Sequence, residues 1–355
     1  MALTIHMMTA NMSAGDAIGN YILSLTTILR GWGCTVHLYS DHPNGRYSLP
    51  HMHSSVYQPT GRDLLWMHFS IWSENPKWLY TSPDFKILDS HNVSPAYLFH
   101  GYDPNMERLC RDGENMLDTF TNSVDVAVVH TEYVCDDLER RGYRSIRKLP
   151  LVVDTDRFTG AGSPAWEPLL ISLEYLLFVG RIVPQKNLKV ALHVFAALHR
   201  RRPNVKFFLV GGTFLPAYAA ELEELVTQLG ISDAVVFVGP VVEPDVLTSF
   251  YRHARFSLVL SAWESFCVPI IESLYFGTPV LGHDVPPIPE TMAGGGVLIK
   301  GSPEDMAVQI DKLWNDTDRY RELQRQGRRH AEQFTEHHLR VALLDLFRTL
   351  DMGSH

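Results

Sequence analysis

Two kinds of pattern alternate along the chain. Short apolar runs read as strands, most of them leaving through polar residues: "LTIHMMT" (Leu3–Thr9), "TVHLYS" (Thr35–Ser40), "DLLWMHFS" (Asp63–Ser70), "FKILDSHNVSP" (Phe85–Pro95) and "VDVAVVHTEY" (Val124–Tyr133). Between the first two, Ile18, Ile22, Leu25 and Leu29 recur at helical spacing, with Asp16 as the expected N-cap. The loop before that helix holds Gly15 and Gly19, so the chain opens strand, glycine loop, helix, strand, a βαβ start.

A second series follows the Gly/Ser/Pro-rich stretch "TGAGSPAWEP" (Thr159–Pro168), which reads as a linker. Strands are expected at "YLLFVG", "VKFFLVGG", "AVVFVGP" and "FSLVL". Between them lie a stripe at Leu188, Ala191, Leu192, Phe195 and Leu198, the segment "AELEELVTQLG" closed by Gly230, and "PDVLTSFYRHA". The order predicts a second parallel sheet with helices on both faces. The expected fold class is α/β: two Rossmann-like, doubly wound domains, 1–158 and 159–333, facing a central cleft. One more helix, "FTEHHLRVALLDLFRTL" (Phe334–Leu350), has an apolar stripe at Leu339, Leu343, Leu346 and Leu350 that must be buried somewhere.

A length of 355 residues suits two domains, and 45% hydrophobic with 20% charged residues is ordinary for a globular protein. The formal charge of -9 argues against a general nucleic-acid binder. "RRGYRSIRK" (Arg140–Lys148) is a basic cluster within that acidic background, read as a solvated helix end and turn or as a contact for anionic lipid or a charged acceptor. Cys34, Cys110, Cys135 and Cys267 form no CxxC and no zinc spacing, so reduced thiols in a cytosolic protein are expected. The N-terminus lacks signal-peptide character, and no run approaches the roughly 18 apolar residues a membrane span needs.

Candidate chemistry sits where strands end. "FVGRIVPQKN" (Phe178–Asn187) places Gly180, Arg181 and Lys186 at a strand-to-helix junction, two cations aimed at one small volume. "SAWESFCVPIIESLYFGTPVLG" (Ser261–Gly282) places Glu264 in a loop and Glu272, eight residues on, in the first turns of a helix whose first turn accommodates Pro269. The amides of Phe266, Cys267 and Val268 would open that helix, although paired carboxylates there also serve as plain helix-start electrostatics. His68 and His91 come at or near strand ends, where open α/β sheets bind ligands. The pair Asp154 and Asp156 has D-x-D spacing, but its place beside the linker reads as a turn rather than a metal clamp.

Taken together, E-x7-E, G-R with its lysine, "F-x-G" at Phe237 and Gly239, "G-T-P-V" at Gly277 to Val280 and "P-E" at Pro289 and Glu290 resemble glycosyltransferase family 4, retaining enzymes of the GT-B fold. "GDAIGN", "HNVSPAYLF" and "GYDP" extend the likeness to the first half. The resemblance implies that Arg181 and Lys186 bind the donor diphosphate and that Glu272 holds the ribose hydroxyls. It implies that Glu264, with the amides of Phe266 and Cys267, holds the donor sugar. It also implies that the Gly15 loop closes on the phosphates, that His91 lies near the sugar and that the last helix (334–350) returns to the first domain. The family often has "E-G-F-G" where this chain has "E-S-F-C", which puts the donor sugar in doubt. The expectation is a retaining, metal-independent hexosyltransferase without cofactor, using a nucleotide sugar and a glycan or lipid-linked acceptor, in the cytoplasm or peripheral to the inner face of the membrane. A sugar-nucleotide epimerase or hydrolase on the same fold and a non-catalytic two-lobed binding protein are the alternatives. The absence of GxGxxG disfavours a nicotinamide dehydrogenase.

Overall fold

The structure is a computed structural model and describes residues 3–12, 16–43, 47–158, 160–241 and 243–350. The chain divides into two compact units, the described residues of Met1–Val152 with Phe334–His355, and Val153–Gln333. Each is built on one wholly parallel sheet.

In the first unit the strands are β1 (Thr4–Asn11), β2 (Thr35–His42), β3 (Met52–His53), β4 (Leu64–Phe69), β5 (Phe85–Ser90), β6 (Val126–Val129) and β7 (Ile146–Lys148). They lie in the order β3-β2-β1-β4-β5-β6-β7. Every residue of β4 is buried, which explains why that segment reads as a continuous apolar run rather than an alternating one. Asp16 caps the helix Ala17–Gly31, its Oδ1 accepting from the amides of Ile18 (2.8 Å) and Gly19 (3.0 Å). The last helix, Glu336–Thr349, buries Leu339, Leu343 and Leu346. Its Phe347 ring meets Trp32 edge-on at 6.4 Å and Trp66 at 6.4 Å, both in this unit. The units meet along the chain after Val152 and before Phe334, where 158/159 and 333/334 were expected; the second boundary is the same.

The second unit holds β8 (Tyr175–Val179), β9 (Lys206–Val210), β10 (Val235–Gly239), β11 (Phe256–Val259), β12 (Val280–Gly282) and β13 (Gly296–Leu298). Their order is β10-β9-β8-β11-β12-β13. The strands β3, β7, β12 and β13, two or three residues each, were not expected: such lengths carry no readable period. β7 lies inside the basic cluster that reads as a helix end and turn. There the helix Glu132–Arg141 ends on left-handed Gly142 and the chain re-enters the sheet. Near the boundary Asp154 is exposed and a 3-10 turn covers Asp156–Phe158, so the D-x-D segment is a turn.

Candidate functional site

The second sheet positions its candidate residues through the C-terminal exits of β8 and β11. After β8, Gly180 and Gly211 are tied to the neighbouring strands: the Gly180 amide donates to Val210 and the Gly211 amide to Gly239, each at 2.9 Å. A side chain at Gly211 would collide with the Gly180 carbonyl, so glycine here lets two strand exits approach closely. Arg181 follows, exposed. The 3-10 turn Pro184–Lys186 then docks onto the loop after β11. Gln185 donates to the Trp263 carbonyl (3.4 Å), its own carbonyl accepts from the Ala262 amide (2.9 Å), and Asn187 donates to Leu260 (3.1 Å). This docking brings the Lys186 ammonium to 2.6 Å from Glu264 Oε1, which also accepts from the Ser261 hydroxyl at 2.6 Å. Burial alone would lower the Lys186 ammonium, but the carboxylate of Glu264 outweighs it and holds it above the usual lysine value. Arg181 contributes a small opposing push, so the two cations feel each other's field. The sequence placed these residues together, but it did not show that Lys186 is already paired with Glu264.

The loop then feeds the helix Val268–Phe276, with Pro269 in its first turn and Cys267 as N-cap. Cys267 sits at φ 76°, a left-handed conformation, and no side chain caps the helix start. Its first-turn amides and the positive end of the helix dipole are suited to an anionic ligand. Phe266 and Cys267 are buried, and Val268 is half-buried. Burial pushes the Cys267 thiol well above the usual range, and the Glu264 carboxylate adds to it, so Cys267 is a poor nucleophile. Glu272, also buried, is held at both oxygens: Arg157 donates to Oε1, and the Tyr251 hydroxyl donates to Oε2 at 2.8 Å. Burial raises the Glu272 carboxyl above its usual value despite the opposing pull of Arg157 and Tyr251. Arg157, Tyr251 and Ser261 were not identified from sequence. Arg157 lies in the segment that reads only as a turn, and Tyr251 in a helix that reads only as packing.

In the first unit His91 follows β5 and turns its Nε2 inward, 3.2 Å from His68 Nδ1 and 3.6 Å from Asp89 Oδ1. Any substrate contact of His91 therefore falls to Nδ1. Gly15 lies outside the described residues. In the basic cluster, Arg141 is held by Glu114, Asp118 and Asp137, and Lys148 by Glu132. Much of its charge is thus offset by carboxylates of its own unit. Among the described residues no helix is long and apolar enough to cross a membrane.

Residues 172–330 match the family described as glycosyl transferases group 1. Across 96% of this chain and 80% of the relative, the sequence is 27% identical to D-inositol 3-phosphate glycosyltransferase of Corynebacterium urealyticum. Among solved structures, sucrose-phosphate synthase from Thermosynechococcus elongatus superposes with a TM-score of 0.77 at 19% identity, covering 98% of both chains. HepE of Anabaena, solved in complex with UDP and glucose, gives 0.76 at 15% identity over 98% of this chain and all of that one. Two parallel-sheet Rossmann-like units and these likenesses agree on the fold, which is GT-B, and residues 172–330 are similar to glycosyl transferases group 1.

Proposed function

We propose that the chain is a retaining glycosyltransferase that moves a hexose-type sugar from a nucleotide diphosphate sugar to a hydroxyl acceptor. The observation that carries this reading is the junction at the exits of β8 and β11, where Lys186 meets Glu264 at 2.6 Å beside Arg181. Breaking a sugar–phosphate bond builds positive charge on the sugar and negative charge on the diphosphate. Fixed groups of both signs, held by a rigid turn, stabilise both without reorganising. In this reading Arg181 and Lys186 offset the departing diphosphate, where a divalent metal would otherwise serve, and the strand exit at Gly180 lets the backbone approach it. Glu264 holds the sugar together with the amides of Phe266, Cys267 and Val268, and Glu272 takes the ribose hydroxyls. Arg157 then shares Glu272 with the ribose or moves aside. The solved HepE complex with UDP and glucose supports a nucleotide-sugar donor. The curated D-inositol 3-phosphate glycosyltransferases support a polar hydroxyl acceptor. His91 would act on the donor sugar through Nδ1, and the Gly15 loop would meet the phosphates. Retention, with the leaving phosphate taking the acceptor's proton, follows the resemblance of the E-x7-E motif. Synthesis of a cell-surface glycan in the cytoplasm is the setting this reading favours.

The test is incubation of the purified chain with UDP-, GDP-, dTDP- and ADP-sugars, with and without polyol and glycan acceptors, following nucleotide release and the anomeric configuration of the product. Acceptor-dependent release with retained configuration supports transfer. Rearranged sugar nucleotide without acceptor would instead make the protein an epimerase, and binding without turnover a sensor.

A further inference from the structure

The first sheet gathers an unusual set of side chains, of which the donor reading uses only the outer nitrogen of His91. His68 on β4 and Asp89 on β5 are directly paired in the strand register. His91 stands two residues beyond Asp89 and therefore on the same face, and His130 follows β6. His68 Nδ1 lies 3.2 Å from His91 Nε2 and 3.5 Å from Asp89 Oδ2, and His91 Nε2 lies 3.6 Å from Asp89 Oδ1. Asp89 and His68 are fully buried, and His91 is 8% exposed. Two imidazole nitrogens and a carboxylate thus gather within about 3.2–3.6 Å of one another. We propose that His68, Asp89 and His91 form a binding site for a divalent first-row transition metal, of the zinc type, within the first unit.

Three observations support it. The first is distance. A tetrahedral zinc with ligands at about 2.0–2.1 Å separates them by about 3.3–3.4 Å; the two imidazole nitrogens lie 3.2 Å apart, and Asp89 turns a different oxygen to each, Oδ2 at 3.5 Å from His68 and Oδ1 at 3.6 Å from His91. The second is the surrounding shell. Trp66 Nε1 donates to Asp89 Oδ2 at 2.9 Å, and His130 Nε2 lies 2.9 Å from Oδ1. The His130 Nδ1 can only donate to the Leu149 carbonyl, 3.0 Å away, which fixes this ring beside Asp89. A carboxylate ligand oriented by two outer hydrogen bonds is how metal sites are commonly braced. Tyr21 closes the site, its ring standing edge-on to His68, His91 and His130 at 5.9, 5.9 and 4.9 Å. The third is the isolation of the outer nitrogen. His68 Nε2 is buried without a partner, so the polar interactions of this ring fall to Nδ1, on the Asp89 and His91 side.

A comparable cluster, His6 with Asp63 and Asp84, lacks this character. It is less enclosed, because Asp63 is only half-buried whereas His68, Asp89 and His91 are all buried. The proposal does not depend on the transferase reading, and its test needs no turnover. Full-length protein is stripped with a chelator, then titrated with Zn²⁺ by calorimetry and with Co²⁺ by visible absorption. The expected result is saturable binding with a tetrahedral Co²⁺ spectrum. Trp66→Phe should weaken binding about 10- to 100-fold, His91→Gln and Asp89→Asn should abolish the Co²⁺ spectrum, and His6→Gln should leave it unchanged. Circular dichroism confirms that each variant is folded. Should the variants fail to fold, hyperfine-shifted imidazole proton resonances in the Co²⁺-loaded wild type decide the matter, since the site predicts two histidines. A folded wild type without saturable binding, binding that survives both His91→Gln and Asp89→Asn, or loss in His6→Gln would overturn the proposal.

Discussion

Lys186 and Glu264 offer the sharpest separation of stability from chemistry. In Lys186→Met the Glu264 carboxylate, 4% exposed, keeps only the Ser261 hydroxyl and the Cys267 thiol. Removing one partner of a buried ion pair costs about 3–5 kcal/mol. The Lys186 side chain retains 13% exposure, so water enters readily and the lower end, about 3 kcal/mol, is expected. Adding Glu264→Gln removes the stranded charge, so the double variant should recover much of that loss, with a coupling of at least about 1.5 kcal/mol in a double-mutant cycle. Equilibrium urea unfolding of the four proteins measures it. Transfer behaves differently: each single variant should lose about 100- to 1000-fold in turnover, and the double variant should recover none of it. Additive stabilities would refute the buried pairing. Turnover regained in the double variant would refute the assignment of these charges to the donor.

The remaining variants probe the same site and the packing of the first unit. Glu272→Gln should keep or raise stability at pH 7 while weakening nucleotide binding in calorimetry. The folded carboxyl titrates above its unfolded value near 4.5, so its contribution is present below that pH and declines as pH rises through the folded value. The variant should remove that part of the stability–pH slope. Cys267→Gly releases a left-handed strain of about 1–2 kcal/mol while losing a buried side chain, so thermal unfolding should change little, whereas β-branched Cys267→Val should be clearly destabilised. Leu343→Ala in the last helix should cost about 2–5 kcal/mol. Hydrogen exchange should then show the lost protection in β1–β7, and loss confined to β8–β13 would contradict the packing.

Much of this architecture is legible in the chain because parallel strands buried on both faces leave apolar runs such as Leu64–Phe69, and because Asp16 and Gly230 mark helix ends. The three-residue strands β12 and β13 were not, since pairing with a neighbour defines them rather than any local pattern. At the site, Arg181, Lys186 and Glu264 stood out because they follow the ends of apolar strands, and Glu272 by its spacing from Glu264. Arg157 and Tyr251 did not. Their partner Glu272 lies 115 and 21 residues away in sequence, and a long-range contact leaves no spacing to read. Asp89 escaped for a related reason: it sits inside a strand and gains meaning only when the register sets it beside His68.

The account rests on a nucleotide diphosphate site built from Lys186, Arg181 and Glu272. Thermal unfolding of the wild type with UDP, GDP, dTDP and ADP, repeated with Lys186→Met and Glu272→Gln, tests it most directly. A ligand at 100 times its dissociation constant adds about 2.7 kcal/mol. The prediction is that at least one nucleotide diphosphate raises the midpoint of the wild type and that both variants blunt the rise. No stabilisation by any of the four, or an equal rise in both variants, would contradict it.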